Sequence, residues 1–181
     1  MNIANKLTML RIFLTPVFVI ICYLDSTRTG YIAAAVFAVA SITDAFDGYI
    51  ARKLKQVTNF GKLLDAMADK ILVCSAILIL VEWGRCEAWL AIIIIGREFV
   101  ISALRSIAAA QGNVIAAGMA GKVKTVIQTI AVILLLVNNA FFADLGIPLG
   151  EALLYISAAI SVYSAAGYLI KNIAVIKNSN D

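Results

Sequence analysis

Histidine is missing from the 181-residue sequence, which also holds only two prolines and three cysteines. The lack of histidine excludes Ser-His-Asp hydrolysis, His-ligated zinc and phosphodiesterase chemistry that depends on a histidine. The cysteines, Cys22, Cys74 and Cys86, are odd in number and show no C-x-x-C spacing, so they indicate neither a disulfide framework nor a metal knuckle. An acid or base in this protein must therefore be a carboxylate, lysine, tyrosine or cysteine.

Charged residues are scarce, at 14% of the chain, whereas hydrophobic residues make up 62%. Soluble domains contain about 25% charged and about 45–50% apolar residues, so the composition is that of a membrane protein. Six apolar runs approach the length of about 20 residues that a spanning helix needs. They cover residues 7–24, 30–52, 61–82, 88–110, 122–143 and 150–171. The sequence therefore predicts an all-α integral membrane protein, a six-helix transmembrane bundle whose residues 1–181 form one domain.

The distribution of basic residues predicts the orientation of this bundle. Lysine and arginine gather in the second and fourth connections and in the tail: Arg52, Lys53, Lys55, Lys62, Lys122, Lys124, Lys171 and Lys177. Because such residues favour the cytoplasmic side, both termini are expected in the cytoplasm. The first run, which begins near Lys6, resembles a signal peptide, but we expect it to be retained as a span. The net charge of +4 is explained by anionic lipid head groups, and no nucleic-acid partner is expected.

Small residues are frequent on the second and sixth runs, where they favour close helix packing and a homodimer seam. They are Ala33, Ala34, Ala35, Ala38, Ala40, Ser41, Ser157, Ala158, Ser161, Ser164, Ala165 and Gly167.

Four aspartates lie inside predicted spans, where an ionised carboxylate costs a few kcal/mol. Asp44 and Asp47 fall on one face of the second span, and Asp65 and Asp69 on one face of the third. Taken singly, each can be explained by a salt bridge to a nearby cation or by contact with water. The two spans are antiparallel neighbours, however, so both faces can meet near the cytoplasmic boundary. Such a carboxylate cluster suits one or two hard divalent cations, and cations held in this way are suited to phosphoryl chemistry.

The stretch DAFDGYIARKLKQVTNFGKLLDAMAD carries these aspartates as D-x-x-D-G-x-x-A-R, eight residues, then G-x-x-x-D-x-x-x-D. This pattern resembles the signature of the CDP-alcohol phosphotransferases at all eight fixed positions. Members of that family displace CMP from a CDP-linked lipid or alcohol, using an alcohol as nucleophile and two divalent cations, Mg²⁺ or Mn²⁺.

The resemblance implies a role for each residue of the motif. Asp44, Asp47 and Asp65 are expected as metal ligands, and Asp69 as a metal neighbour and the general base for the acceptor hydroxyl. Four further motif residues are expected to contact the CDP-lipid: Gly48, Ala51, Arg52 and Gly61.

The amino-terminal segment NKLTMLR adds an N-x-x-T-x-x-R pattern that is common in the family. The resemblance implies that Asn5, Thr8 and Arg11 lie near the diphosphate of the donor. Asn5 can alternatively cap the first helix.

Charged residues also lie in the fourth span and at the start of the fifth. Arg97, Arg105, Lys122 and Lys124 are candidates to bind a phosphate of the acceptor that does not react. Alternatively, Arg97 pairs with Glu98, Arg105 reaches the head groups, and the two lysines only mark the cytoplasmic side.

The segments GREFVISALR and GKVKTVIQT resemble the branch of the family that transfers the phosphatidyl group of CDP-diacylglycerol to sn-glycerol 3-phosphate. Members of that branch often have proline where Ala4 and Ala66 stand here. The resemblance implies a multi-pass enzyme of the bacterial-type cytoplasmic membrane, with its active site facing the cytosol. Inositol phosphate, phosphatidylglycerol and serine are alternative acceptors. A divalent-cation transporter and a purely structural bundle are alternatives of another class, disfavoured because we find no internal repeat and because the aspartate spacing is specific.

Overall fold

A computed structural model describes residues 3–24, 29–54, 59–110, 118–140 and 147–171 of the chain; within these ranges the side chains of 3–8, 44–54, 59–66, 110 and 171 lie outside the description. Six α-helices make up the regular structure of this part: α1 (Ile3–Cys22), α2 (Thr29–Leu54), α3 (Asn59–Glu82), α4 (Ala88–Ala110), α5 (Met119–Leu136) and α6 (Leu149–Lys171). The prediction of an all-α fold with six helices is confirmed for this part of the chain.

Two of the described helical segments, Met119–Leu136 and Leu149–Ile170, are long and apolar enough to cross a membrane. The apolar parts of α1 and α2 are shorter, spanning Met9–Cys22 and Thr29–Thr43. Large apolar side chains also cover the outside of the bundle, with Phe13, Ile92 and Ile170 each at least 70% exposed. An apolar outer surface of this extent is suited to lipid. The count of six spans and the positions of the termini stay predictions.

The six described helices pack against one another in a bundle. α1 packs on α2 and α3, α5 packs on α2, α3 and α6, and α4 packs on α3 and α6. The largest buried apolar side chains are Phe18, Phe37, Leu72, Ile77, Leu80, Leu90, Ile94, Leu135, Leu136 and Leu154. Six of the twelve small residues predicted to lie at helix contacts are buried within the chain, whereas Ala35 is exposed. The buried ones are Ala33, Ala34, Ala40, Ser157, Ala158 and Ser161. The homodimer seam stays a prediction.

The end of α5 differs from the prediction, because the helix stops at Leu136 rather than continuing to residue 143. Asn138 and Asn139 adopt positive φ angles of 55° and 52°. Their backbone N–H groups donate to the carbonyls of Leu135 and Leu134, which is the hydrogen-bond pattern of a Schellman cap. Asparagine tolerates this left-handed backbone, so the pair ends the helix although apolar residues follow it.

The carboxyl end of α5 is held in place at the end of the bundle away from the aspartate motif. The Arg85 guanidinium donates to the carbonyls of Leu135 and Leu136, both at 2.8 Å, and so satisfies acceptors that a helix end leaves open. At Gly30, an added Cβ would come within 2.4 Å of the Leu136 carbonyl oxygen, so only glycine lets α2 approach α5 this closely. These contacts fix α5 against α2 and α3.

The three cysteines are free thiols, as the sequence predicts. Cys86 lies in the connection between α3 and α4, where burial raises the pKa of its thiol to about 11. This thiol therefore stays protonated near neutral pH and is not a nucleophile there.

Candidate active site

A cavity of about 310 Å³ lies between α2, α3, α4 and α5. Its volume is at the lower end of the range for small-molecule sites. Polar side chains on its wall are Ser41, Asp69, Lys70, Glu98, Lys124, Thr125, Gln128 and Thr129. The rest of the wall is mainly apolar and is formed by Phe37, Ala38, Ile42, Val73, Cys74, Val126, Ile130, Val132 and Ile133. The cavity thus combines a few charged groups with a large apolar surface.

Asp69, the last aspartate of the motif, lines this cavity. It lies in the first half of α3, is half-buried, and is the one motif aspartate whose side chain belongs to the described part of the molecule. The positions of Asp44, Asp47 and Asp65 lie on α2 and α3, two helices that contact each other. The side chains of the other predicted motif residues also lie outside the described set: Asn5, Thr8, Asp44, Asp47, Gly48, Ala51, Arg52, Gly61 and Asp65. The convergence of four carboxylates stays a prediction.

Lys124 reaches the same cavity from α5. Only 2% of this residue is exposed, and its ammonium group donates a hydrogen bond to Glu98 Oε1 on α4. A lysine buried to this extent needs such a partner, because an isolated buried charge is unfavourable. The structure therefore places a cation at the cavity wall and fixes it with a carboxylate from the neighbouring helix.

Arg97 stands behind this pair and connects it to α6. Its Nη1 donates to Glu98 Oε1 at 3.1 Å, and its Nη2 donates to Ser164 Oγ at 2.9 Å. The pairing of Arg97 with Glu98 is the alternative that the sequence left open. One carboxylate oxygen thus joins the charges of Arg97 and Lys124, and the contacts extend across α4, α5 and α6.

The other two basic residues predicted for the acceptor lie at the surface. Arg105 on α4 and Lys122 on α5 are both exposed, and neither belongs to the described cavity wall. Of the four predicted acceptor residues, Lys124 is thus the one that the structure brings to the cavity with Asp69.

Arg11, predicted to lie near the donor diphosphate, is 1% exposed. It lies on α1, which packs against α2 and α3, the two helices that carry the aspartates. A buried arginine on this helix is compatible with the role that the family pattern implies.

Glu98 and Gln128 are among the polar residues of the cavity that were not assigned a role from the sequence. Glu98 holds Lys124, and Gln128 lies one helical turn after Lys124 on the same wall. The spacing of Gln128 from Lys124 was a usable signal, because residues four apart lie on one helix face. The contact of Glu98 with Lys124 depends on how α4 packs and carries no signal in the sequence.

Comparison with known proteins gives the family of the chain. A family model described as CDP-alcohol phosphatidyltransferase matches residues 1–163, a range that contains the aspartate motif and the cavity residues. The chain belongs to this family. The resemblance seen in the motif is therefore confirmed.

Several members of the family are similar to this chain over most of their length. A Bacillus subtilis (strain 168) protein is 42% identical over 99% of both chains. A Pseudomonas fluorescens protein is 40% identical, covering 93% of this chain and 89% of its own, and one from Escherichia coli (strain K12) is 38% identical over 93% of both. Each bears the name CDP-diacylglycerol–glycerol-3-phosphate 3-phosphatidyltransferase.

Proposed function

We propose that this chain transfers the phosphatidyl group of CDP-diacylglycerol to sn-glycerol 3-phosphate, releasing CMP and forming phosphatidylglycerophosphate. The names of its relatives support this reaction. The observation that carries it is the meeting of Asp69, a motif carboxylate, and Lys124, a buried cation, at one cavity. A proton acceptor and a phosphate-binding cation are the two groups that a phosphorylated alcohol requires.

The enzyme crosses the cytoplasmic membrane six times in this proposal, with both termini and the active site facing the cytosol. The exposed apolar surface of the bundle and the basic residues of alternate connections support this arrangement. Ile42, Val126 and Ile130 line the cavity and are also exposed on the outside of α2 and α5. This apolar side suits a donor whose acyl chains stay in the bilayer.

Two divalent cations, Mg²⁺ or Mn²⁺, are proposed to be held by Asp44, Asp47, Asp65 and Asp69. Carboxylate oxygens are the donors that such hard ions prefer, and Asp69 faces the cavity with its side chain half-buried. Among the described side chains no group of three or more metal ligands occurs, since Asp69 alone of the four belongs to them. When bound, the cations would neutralise the diphosphate and stabilise the attacking and leaving oxygens.

Binding of the acceptor and transfer of its proton are assigned to residues of the cavity wall. Lys124, fixed by Glu98, binds the phosphate of glycerol 3-phosphate and places its terminal hydroxyl near Asp69. Asp69 accepts the proton of that hydroxyl while the hydroxyl oxygen forms a bond to the lipid-side phosphorus. The bond from this phosphorus to the oxygen of CMP breaks, and CMP leaves with the electron pair. Positioning supplies much of the acceleration, because the reacting groups are held in one cavity.

The donor side of the site is assigned to the residues that match the family patterns. Asn5, Thr8 and Arg11 are proposed to lie along the diphosphate. Gly48, Ala51, Arg52 and Gly61 are proposed to contact the CDP-lipid. The burial of Arg11 on a helix that packs against α2 and α3 supports this assignment. A second copy of the chain as a homodimer partner is proposed on those small residues of α2 and α6 that are not buried within the chain, such as Ala35, Ala165 and Gly167.

An acceptor panel tests the reaction. Purified protein with CDP-diacylglycerol and Mg²⁺ or Mn²⁺ is supplied with glycerol 3-phosphate, inositol phosphate, phosphatidylglycerol or serine, and CMP release is measured. We expect release with glycerol 3-phosphate and little with serine, because serine carries no phosphate for Lys124 to bind. Release with inositol phosphate but not with glycerol 3-phosphate would show that the acceptor is wrong, and no release with any acceptor would contradict the enzyme class.

A further inference from the structure

Gln128 is a buried polar residue of the cavity wall that the proposed chemistry does not use. It is 3% exposed and lies on α5, one turn beyond Lys124, so both side chains occupy the same face of the helix. Its Oε1 atom is fully buried and has no hydrogen-bond partner within the part of the chain that the structure describes. A buried amide oxygen is unfavourable unless a partner satisfies it.

The neighbours of Gln128 on α5 differ from it, because they are either satisfied within the helix or apolar. Thr129 also borders the cavity, but its hydroxyl donates to the Thr125 carbonyl at 2.9 Å and is satisfied within its own helix. Val132 and Ile133, the next residues of the wall, are apolar. An apolar residue at position 128 would therefore continue this wall, whereas glutamine adds an amide to it.

We propose that Gln128 binds the central hydroxyl of glycerol 3-phosphate and thereby selects this acceptor. The inference rests on the proposed function, which uses the other two polar groups of the acceptor. The phosphate lies at Lys124 and the terminal hydroxyl at Asp69, which leaves the hydroxyl on the central carbon between them. That hydroxyl donates to Gln128 Oε1 and satisfies it. Gln128 is in this account a specificity residue that contacts the substrate and takes no part in proton transfer.

The test compares two acceptors in two proteins. Glycerol 3-phosphate is measured against 3-hydroxypropyl phosphate, which lacks only the central hydroxyl, in the unmodified enzyme and in Gln128→Met. A site built to bind a hydroxyl strongly rejects an analogue without it, so we expect the unmodified enzyme to prefer glycerol 3-phosphate by at least about 10-fold in kcat/KM. In Gln128→Met we expect activity with glycerol 3-phosphate to fall until the two acceptors are within about twofold of each other, because methionine keeps the volume but not the hydrogen bond.

Thr129→Val is the matched control, since it removes a polar group from the same wall whose hydroxyl is already satisfied. This variant is expected to keep the preference of the unmodified enzyme. Gln128→Asn is a second variant for the case in which Gln128→Met does not fold. It retains an amide but withdraws it by one methylene, and we expect it to reduce the preference for glycerol 3-phosphate.

The outcomes separate this inference from the proposed function. Equal use of both acceptors by the unmodified enzyme, or an unchanged preference in the Gln128 variants, would overturn the role of Gln128 while leaving the reaction itself established. No CMP release from the unmodified enzyme with either acceptor would instead overturn the proposed function.

Discussion

Asp69→Asn is expected to lower the rate of CMP release from CDP-diacylglycerol and glycerol 3-phosphate by about a thousandfold or more. Asparagine keeps the shape of the side chain but cannot accept the proton of the attacking hydroxyl. Asp69 is half-buried at the cavity and is the motif carboxylate placed on the same wall as Lys124. The sequence contains no histidine that could replace it as the base.

The loss is expected in turnover rather than in binding of the nucleotide. Titration of CMP into the purified variant, followed by calorimetry, is expected to give a Kd within about fivefold of the unmodified enzyme, because the other proposed donor contacts remain. Glu87→Gln is the matched control. It makes the same change at an exposed carboxylate that accepts a hydrogen bond from the Tyr155 hydroxyl, away from the cavity. Full turnover by Asp69→Asn would contradict the assignment of Asp69 as the base.

Lys124→Met is expected to raise the KM for glycerol 3-phosphate by about 30- to 100-fold, with the KM for CDP-diacylglycerol changed by less than about threefold. The expected factor is that of one lost hydrogen bond between charged groups, which contributes about 2–3 kcal/mol. Lys124 is buried and donates to Glu98 at the cavity wall. Initial rates with either substrate varied at saturating concentrations of the other give both constants.

Glu98→Gln distinguishes a lysine that binds substrate from one that only stabilises the bundle. This variant keeps Lys124 but removes the charge that fixes it, and Gln can still accept a hydrogen bond from Arg97 and Lys124. We expect a smaller increase in the same KM, because the ammonium group is still present but less well positioned. An increase in the KM of CDP-diacylglycerol instead, in either variant, would place the acceptor pocket elsewhere.

The helices themselves could be predicted well, since each rests on an apolar run whose length fits a span. Five of the predicted spans begin and end within a few residues of α1, α2, α3, α4 and α6. The fifth span was predicted to end at residue 143, several residues beyond the end of α5, because apolar residues follow Asn138 and Asn139. These two asparagines form a turn with left-handed backbone that ends the helix. Such a turn is a local conformational preference that hydrophobicity alone does not show.

The site could be predicted only as separate parts. The spacing of the motif identified Asp69, and the start of the fifth span identified Lys124, but their meeting at one cavity depends on how α3 and α5 pack. The same holds for Arg97, whose hydrogen bond to Ser164 joins α4 to α6. Contacts between residues far apart in sequence are set by tertiary packing, and no periodic pattern in a single chain encodes them.

The central claim is that the motif aspartates hold two cations beside the cavity that Asp69 lines. Counting the Mn²⁺ ions bound to the enzyme tests this claim most directly. Electron paramagnetic resonance of the purified enzyme, titrated with Mn²⁺ in the presence of CDP-diacylglycerol, measures the number of ions bound per chain. The account predicts about two for the unmodified enzyme and a loss of tight binding in Asp44→Asn and Asp65→Asn, with Glu87→Gln unchanged. No saturable Mn²⁺ binding by an enzyme that still releases CMP in excess chelator would contradict it.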